Sequence, residues 1–209
     1  MKHNKALVSV VIPVYNEELN IAYLAAELLK VFADTSYNYE VVFVDDGSAD
    51  NTFEVLRSIS KTHPQFFYLR LSRNFGHQNA VKAGLDVARG NCIISMDGDG
   101  QHPPTLIPAL LEKWEEGYHV VYTKRTETAN ASRTKNITSS RYYKILNSIS
   151  DVELEAGTAD FRLLDKTVVT ILRRTQEYDL FLRGLVKWVG FKQYSIDYNA
   201  PERFAGKSK

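Results

Sequence analysis

Two carboxylates one residue apart, Asp97 and Asp99, follow the apolar run Cys92-Ile93-Ile94-Ser95-Met96 with only Gly98 between them. A buried strand that ends this way is costly to form without a counter-charge. If the backbone stays extended through Gly98, residues i and i+2 project to the same side and both carboxylates face one spot. Two like charges about 4–5 Å apart repel by roughly 3–4 kcal/mol at an effective dielectric near 20. A divalent cation cancels that repulsion. Oxygen-only ligands suit Mg2+ or Mn2+, and so sparse a protein shell leaves coordination positions for phosphate oxygens and water. The plain alternative is a solvated Asp-Gly turn, since short motifs recur by chance. The rest of the chain weighs against it.

A second acidic pair, Asp45-Asp46, closes the run Glu40–Val44 and opens Asp46-Gly47-Ser48-x-Asp50-Asn51. Here Ser48 or Asp50 is expected to cap the next helix, the commonest role for such residues. Asp45 or Asp46 is then expected to accept hydrogen bonds from a nucleobase or a ribose. Neither G-x-x-x-x-G-K-[ST] nor G-x-G-x-x-G is present, so phosphate binding falls to a metal and to basic side chains. Lys124, Arg125, Arg133, Lys135, Arg141 and Lys144 form a positive stretch opposed only by Glu127. For a charge run alone, a solvated helix face is the usual explanation. His77 and His102, next to Gly and Pro, read as turn or packing residues. Trp114 and Trp188 fall at apolar helical positions and read as core.

The elements that must hold these groups alternate. Leu7–Ile12, Glu40–Val44, Phe66–Leu71, Cys92–Met96 and His119–Tyr122 read as buried strands. Leu19–Phe32, Asn51–Ser60, Gln78–Ala88 and Thr105–Glu116 carry helical periods between them. Such alternation implies right-handed β-α-β units: an α/β, Rossmann-like, mostly parallel sheet with helices on both faces. Polar clusters follow every strand: Pro13, Tyr15, Asn16 and Glu17; Asp45 to Ser48; Ser72 to Asn74; Asp97 and Asp99; Lys124 and Arg125. In an open parallel sheet, ligands bind outside the carboxyl ends of the strands, so these clusters converge on one rim. Beyond Thr123 the pattern weakens. Arg141–Ile149 reads as a helix, and Phe161–Leu164, Thr167–Arg174, Tyr178–Val189 and Phe191–Tyr198 read as strand, helix, helix and strand. They complete one domain over 1–209, with a nucleotide-binding half near 1–125 and an acceptor-binding half near 126–209.

The 209 residues, 44% hydrophobic and 24% charged, describe an ordinary globular protein with a sizeable core. A net charge of +1 gives no reason to expect nucleic acid as a partner. The single Cys92 has no internal disulfide partner, which favours a reducing cytosol. In that setting the glycosylation patterns at Asn130 and Asn136 read as coincidence. No secretory leader and no apolar stretch near the ~20 residues needed to span a bilayer is apparent, so a soluble chain is expected.

Taken together, Val8–Glu18, Val44–Ser48, Leu71–Gln78 and Met96–Pro104 resemble the family 2 glycosyltransferases. Tyr122-x-x-Arg125, Ala156-Gly157-x-x-Asp160-Phe161-Arg162-Leu163, Arg183-Gly184-Leu185 and Arg203-x-x-Gly206-x-Ser208-Lys209 narrow the resemblance to the polyprenyl-phosphate glycosyltransferases, dolichol-phosphate mannosyltransferases among them. The resemblance implies a glycosyltransferase-A fold. It also implies inverting transfer of a sugar from a UDP- or GDP-linked donor to a polyprenyl phosphate, at the cytoplasmic face of a membrane. By that resemblance Pro13, Tyr15, Glu17 and Asp46 line the nucleotide pocket, and Asp97, Asp99 and Gln101 coordinate Mg2+ or Mn2+. Arg125, Ser139, Arg203 and, in the same motif, Ser208 serve the phosphates; Arg162 joins them as a basic side chain. Such proteins meet the membrane surface through helices beyond the Arg203–Lys209 motif or through amphipathic ones, and a homo-oligomer is compatible with either.

If the acceptor is a sugar hydroxyl instead, a base must take its proton. Asp160 is the candidate: the apolar Phe161 beside it would raise its pKa by desolvation, unless it only orients Arg162. Two other classes compete. In a haloacid dehalogenase-type phosphatase the first Asp of D-x-D is a nucleophile on an early strand and a Thr or Val follows the second. Here Gly100 follows and several β-α units precede. A non-catalytic sugar-nucleotide sensor would not need the full set of carboxylates and arginines. The Q-x-x-R-W signature of processive synthases is absent, since Phe181-Leu182-Arg183-Gly184-Leu185 stands near that position.

Overall fold

The protein is described from a computed structural model covering residues 6–126, 158–175 and 181–201. Strand and helix alternate in the order the hydrophobic periods require: β1 (Leu7–Val14), α1 (Glu18–Ala33), β2 (Asn38–Asp45), α2 (Thr52–Thr62), β3 (Phe66–Arg70), α3 (His77–Val87), β4 (Cys92–Ser95), α4 (Ile107–Glu115), β5 (Val120–Arg125), β6 (Thr158–Asp165), α5 (Lys166–Arg174), α6 (Leu182–Trp188) and β7 (Gln193–Tyr198). A 3-10 turn, Pro104–Leu106, leads into α4. The strands form one sheet in the order β3-β2-β1-β4-β6-β5-β7.

Side chains alternate between the two faces of each strand, so each face builds its own core. Val8, Val10, Ile12, Val41, Phe43 and Ile94 pack against Ile21, Leu24 and Leu28 of α1, Leu56 of α2 and Leu110 of α4. Val11, Val42, Val44 and Ile93 turn the other way, onto Ala80, Val81 and Leu85 of α3 and Val168, Val169 and Leu172 of α5. Each such side chain, once fully buried, stabilises the fold by about 1.5–3 kcal/mol. Truncating Phe43, 1% exposed at the sheet centre, to Ala would cost about 3–5 kcal/mol.

β1 pairs in parallel with β2 and β4, β2 with β3, and β5 with β7. β1 therefore sits where the chain's direction of travel across the sheet reverses, and the crevice at the carboxyl ends of β1 and β4 is the natural ligand site. β6 is antiparallel to both β4 and β5, so it starts at the rim where the other strands end. Its register sets Arg162 opposite Ser95. Just before it on β6, Asp160 accepts Ser95 Oγ on its backbone oxygen at 2.7 Å. The far end is pinned by Glu40, which is buried and accepts from Ser9 Oγ at 2.6 Å, Arg89 N at 2.7 Å and Arg89 Nε at 2.8 Å.

Three expectations change. Lys124 and Arg125 are the last residues of β5 rather than a loop after it. Trp188 is 69% exposed, because α6 is short and buries only Leu182 and Val186. The last helix begins at Leu182, and the helix expected over 141–149 lies outside the described residues.

Candidate active site

A cavity of about 320 Å³ opens at the β1–β4 crevice. Pro13, Tyr15 and Glu17 reach it from the β1 exit, Asp46 from β2, Asn74 and His77 from the segment entering α3, and Asp97 and Asp99 from β4. Gly98 permits the close approach: a Cβ there would stand 2.6 Å from Val14 Cγ1.

The walls are laced loop to loop. Asn16, at φ +55°, donates its N–H to Ser48 Oγ at 2.9 Å, and its Oδ1 accepts from Ala49 N at 2.8 Å. Glu17 N donates to Thr52 Oγ1 at 2.8 Å, and Asn51 N to Glu18 Oε2 at 2.9 Å. Asp50 receives Thr52 N at 3.0 Å and Glu18 N at 3.3 Å, so it serves the starts of both α1 and α2. Neither expected residue is the N-cap of α2: that position is Asn51, whose side chain makes no cap hydrogen bond, while Asp50 reaches Thr52 N from the residue before it and Ser48 ties the loops.

The first acidic pair is structural in large part. Asp45 is fully buried, accepts Ser48 N at 2.8 Å and faces Arg70 Nε at 3.4 Å. That oxygen, Oδ2, has an ionic neighbour but no hydrogen-bond donor among the described residues, because the Arg70 N–H is not aimed at it. Asp45 does not line the cavity, which corrects its expected nucleotide role. Asp46 does line it, yet spends its oxygens on Phe75 N at 2.7 Å and Gly76 N at 2.9 Å. Gly47 makes this possible: its φ is +73°, and a Cβ would meet the Arg73 backbone carbon at 2.5 Å.

The second pair faces the cavity. Asp97 Oδ1 lies 2.8 Å from His77 Nε2, and Asp99 Oδ1 accepts Gln101 N at 3.0 Å. Burial works to raise the Asp97 pKa, but the hydrogen bond from His77 holds it below the usual range. Burial works to lower His77, and Asp97 outweighs it, so His77 is raised. His102 is the structural one of the two: it accepts Asp97 N on Nδ1 at 2.8 Å and stacks on Phe161 at 5.3 Å. Because that nitrogen accepts an N–H it carries no proton, so its 3.7 Å approach to Asp97 Oδ2 is not an ion pair, and burial also pushes the pKa of the ring down. Residue-by-residue reading missed His77. The signal lay in Leu71–Gln78, one of the stretches that carry the family resemblance.

Asp160 takes the orienting role. Burial would raise its pKa, but Arg183 donates to it twice, from Nε at 2.8 Å and Nη2 at 2.7 Å, and Arg162 Nη2 once, at 2.9 Å. These bring it down to about 2, too acidic for a general base near pH 7. Arg162 is 5% exposed and donates inward to Asp160 and to Ala159 O at 3.1 Å, so it is not a phosphate ligand facing solvent. Arg125 is exposed at the end of β5. Gln101 does not line the cavity. Ser139, Arg203 and Ser208 lie outside the described residues.

The donor set fits a hard divalent cation. Among the described residues no group of three or more Asp, Glu, His or Cys could hold a metal, so Asp97 and Asp99 supply two carboxylates and no cage. Mg2+ is typically bound that way, by one or two carboxylates plus substrate phosphates and water.

The chain belongs to glycosyl transferase family 2, whose profile matches residues 9–172. YkcC of Bacillus subtilis (strain 168), an uncharacterized glycosyltransferase, is 45% identical over 201 residues, spanning 96% of this chain and 62% of that protein. A prophage bactoprenol glucosyl transferase homolog of Escherichia coli (strain K12) is 38% identical over 202 residues, spanning 97% of this chain and 66% of that protein. The chain thus spans about three fifths of the length of the curated relatives it matches. The mannosyltransferase PcManGT from Pyrobaculum calidifontis, solved with GDP-Man and Mn2+, superposes with a TM-score of 0.61 at 19% identity. That superposition covers 97% of this chain and 59% of the other, and it shows the shared glycosyltransferase-A fold.

Proposed function

We propose that this chain carries out metal-dependent, inverting transfer of a sugar from a UDP- or GDP-linked donor to a polyprenyl phosphate at the inner face of the cell membrane. One observation carries the reading: both carboxylates at the β4 exit open onto the same cavity as Pro13, Tyr15, Glu17 and Asp46. Asp97 and Asp99, with Gln101 beside them, would hold Mg2+ or Mn2+, which when bound neutralises charge on the leaving diphosphate. The residues from β1 and β2 form the nucleotide side. Arg125 and residues 126–209 form the acceptor side, where Arg125, Ser139, Arg203 and Ser208 take the phosphates.

The acidity of Asp160 favours a phosphate acceptor. A phosphate monoester has its second pKa near ~6 and needs no base at neutral pH. A sugar hydroxyl does need one, and a carboxylate held at about 2 by two arginines serves poorly. The name of the Escherichia coli relative, a bactoprenol glucosyl transferase homolog, agrees with a polyprenyl acceptor. No helix among the described residues is long and apolar enough to cross a membrane, so this part of the chain would meet the lipid at the surface.

The test supplies UDP-glucose or GDP-mannose, Mn2+ and a short-chain polyprenyl phosphate, and follows release of nucleoside diphosphate. Release that needs both Mn2+ and the lipid phosphate is expected. Equal release with the neutral polyprenol or with a saccharide would overturn the acceptor assignment.

A further inference from the structure

His77 does more at the cavity than pair with a carboxylate. It is the first residue of α3, with its side chain 41% exposed, and its Nε2 meets Asp97 Oδ1 at 2.8 Å. Its ring is in turn oriented. Gln78 Oε1 accepts the N–H of Leu182, the first residue of α6, at 3.3 Å. Because a backbone N–H can only donate, the Gln78 amide must turn its NH2 the other way, and Nε2 lies 3.4 Å from His77 Nδ1. In this arrangement Nδ1 accepts, and Nε2 carries the hydrogen given to Asp97. The other carboxylate oxygen is not drawn off by His102, whose Nδ1 is occupied by Asp97 N at 2.8 Å. Among the described residues, the Asp97 carboxylate is thereby hydrogen-bonded through Oδ1 only.

A bare stabilising ion pair explains less. A cation at the first turn of a helix opposes the helix dipole, so α3 gains nothing from charge on His77. Nor would such a pair need its ring held by the neighbouring Gln78, itself fixed by the distant Leu182 N–H.

We propose that His77, oriented by Gln78, is a positioning residue that holds Asp97 in the rotamer required to bind a divalent cation, and that it ties the seating of α6 to that site. The inference rests on the proposed metal role of Asp97. Partners that orient ligating groups cost about 10–100-fold in metal affinity when removed.

Mn2+ binding to the purified protein, alone and with UDP or GDP, is read from the electron paramagnetic resonance signal of the free ion. His77→Ala is expected to weaken binding by about 10–100-fold. His77→Gln, whose amide N–H can stand in for Nε2–H, is expected to recover most of it. Gln78→Leu removes one neutral hydrogen bond and should weaken binding by about 2–12-fold. Gln78→Leu also decides the matter if His77→Ala does not fold, since it leaves both His77 and Asp97 in place. Native affinity in folded His77→Ala, or in Gln78→Leu, overturns the inference while leaving the metal site standing. If the native protein binds no Mn2+ and Asp97→Asn is indistinguishable from it, the metal reading falls and this inference falls with it.

Discussion

The exits of β2 and β4 carry the same chemistry, two carboxylates each, and put it to different use. At β2 the pair is adjacent in sequence, so the side chains leave on opposite sides. Asp45 turns to Ser48 and Arg70, away from the cavity, while Asp46 turns to the backbone of Phe75 and Gly76. At β4 the pair is spaced by Gly98, and both members face the cavity. Of the β2 acids only Asp46 reaches the cavity, and it braces a loop as well; of the β4 acids both reach it. Bracing is not idle: Asp46 ties the Phe75–Gly76 backbone that leads into His77 to the β2 exit.

Substituting one member of each pair should tell the two exits apart. Asp99→Asn removes a carboxylate argued to balance charge on a diphosphate. That predicts a loss of about 1,000-fold in Mn2+-dependent donor turnover, or ~4 kcal/mol, with the melting temperature shifted by less than about 2 °C. Turnover within tenfold of native would remove the distinction. Asp46→Ala should lower stability as well as donor turnover. It strips a charged acceptor from two backbone N–H groups, at a cost of about 3 kcal/mol in urea unfolding. A near-native midpoint would mean that the β3–α3 segment holds itself in place.

The strands and the two acidic exits were legible because parallel strands buried on both faces leave continuous apolar runs, and polar residues then mark where each run ends. Asp97-x-Asp99 stood out by parity, but β4 ends at Ser95 and Gly98–Asp99 form a turn, so both acids reach the cavity through that turn and not along an extended strand. What stayed hidden depends on residues far apart in the chain. Asp160 reads as a desolvated acid beside Phe161 until Arg183, 23 residues on, docks onto it. Arg162 reads as a phosphate ligand until β6 runs antiparallel between β4 and β5 and buries it. Trp188 reads as core because its spacing is helical, yet a helix of seven residues buries only two of them well. His77 looked like a turn residue because nothing local shows that Asp97 will stand across from it.

Asp160 gives the comparison a third carboxylate, also spent on internal partners, but arginines rather than backbone. Its folded pKa of about 2 lies below the ordinary 3.8, so it favours the folded state at pH above about 4. That contribution, about 2 kcal/mol, is lost as pH falls from about 4 towards 2, where the carboxyl protonates in the folded state as well. The difference in unfolding free energy between native protein and Asp160→Asn should therefore shrink across that interval. A difference that stays constant would mean the arginines do not hold the acid as drawn.

Asp45→Asn probes the comparison most finely, and with the smallest effect. The new side chain keeps an oxygen for Ser48 N but presents an amide to Arg70 Nε, which stood 3.4 Å from the lost charge. Arg70 is 46% exposed and lies over the Phe53 ring at 4.3 Å, so it can turn to solvent without leaving that ring. Removing a charge from a fully buried position also relieves part of the desolvation it imposed. With a screened partner on one side and that relief on the other, the net cost should stay near ~1 kcal/mol in urea unfolding. Donor affinity, measured by titration with UDP and GDP sugars in Mn2+, should match the native protein. A folded Asp45→Asn that fails to bind donor would place both β2 carboxylates in the ligand site and erase the contrast with β4.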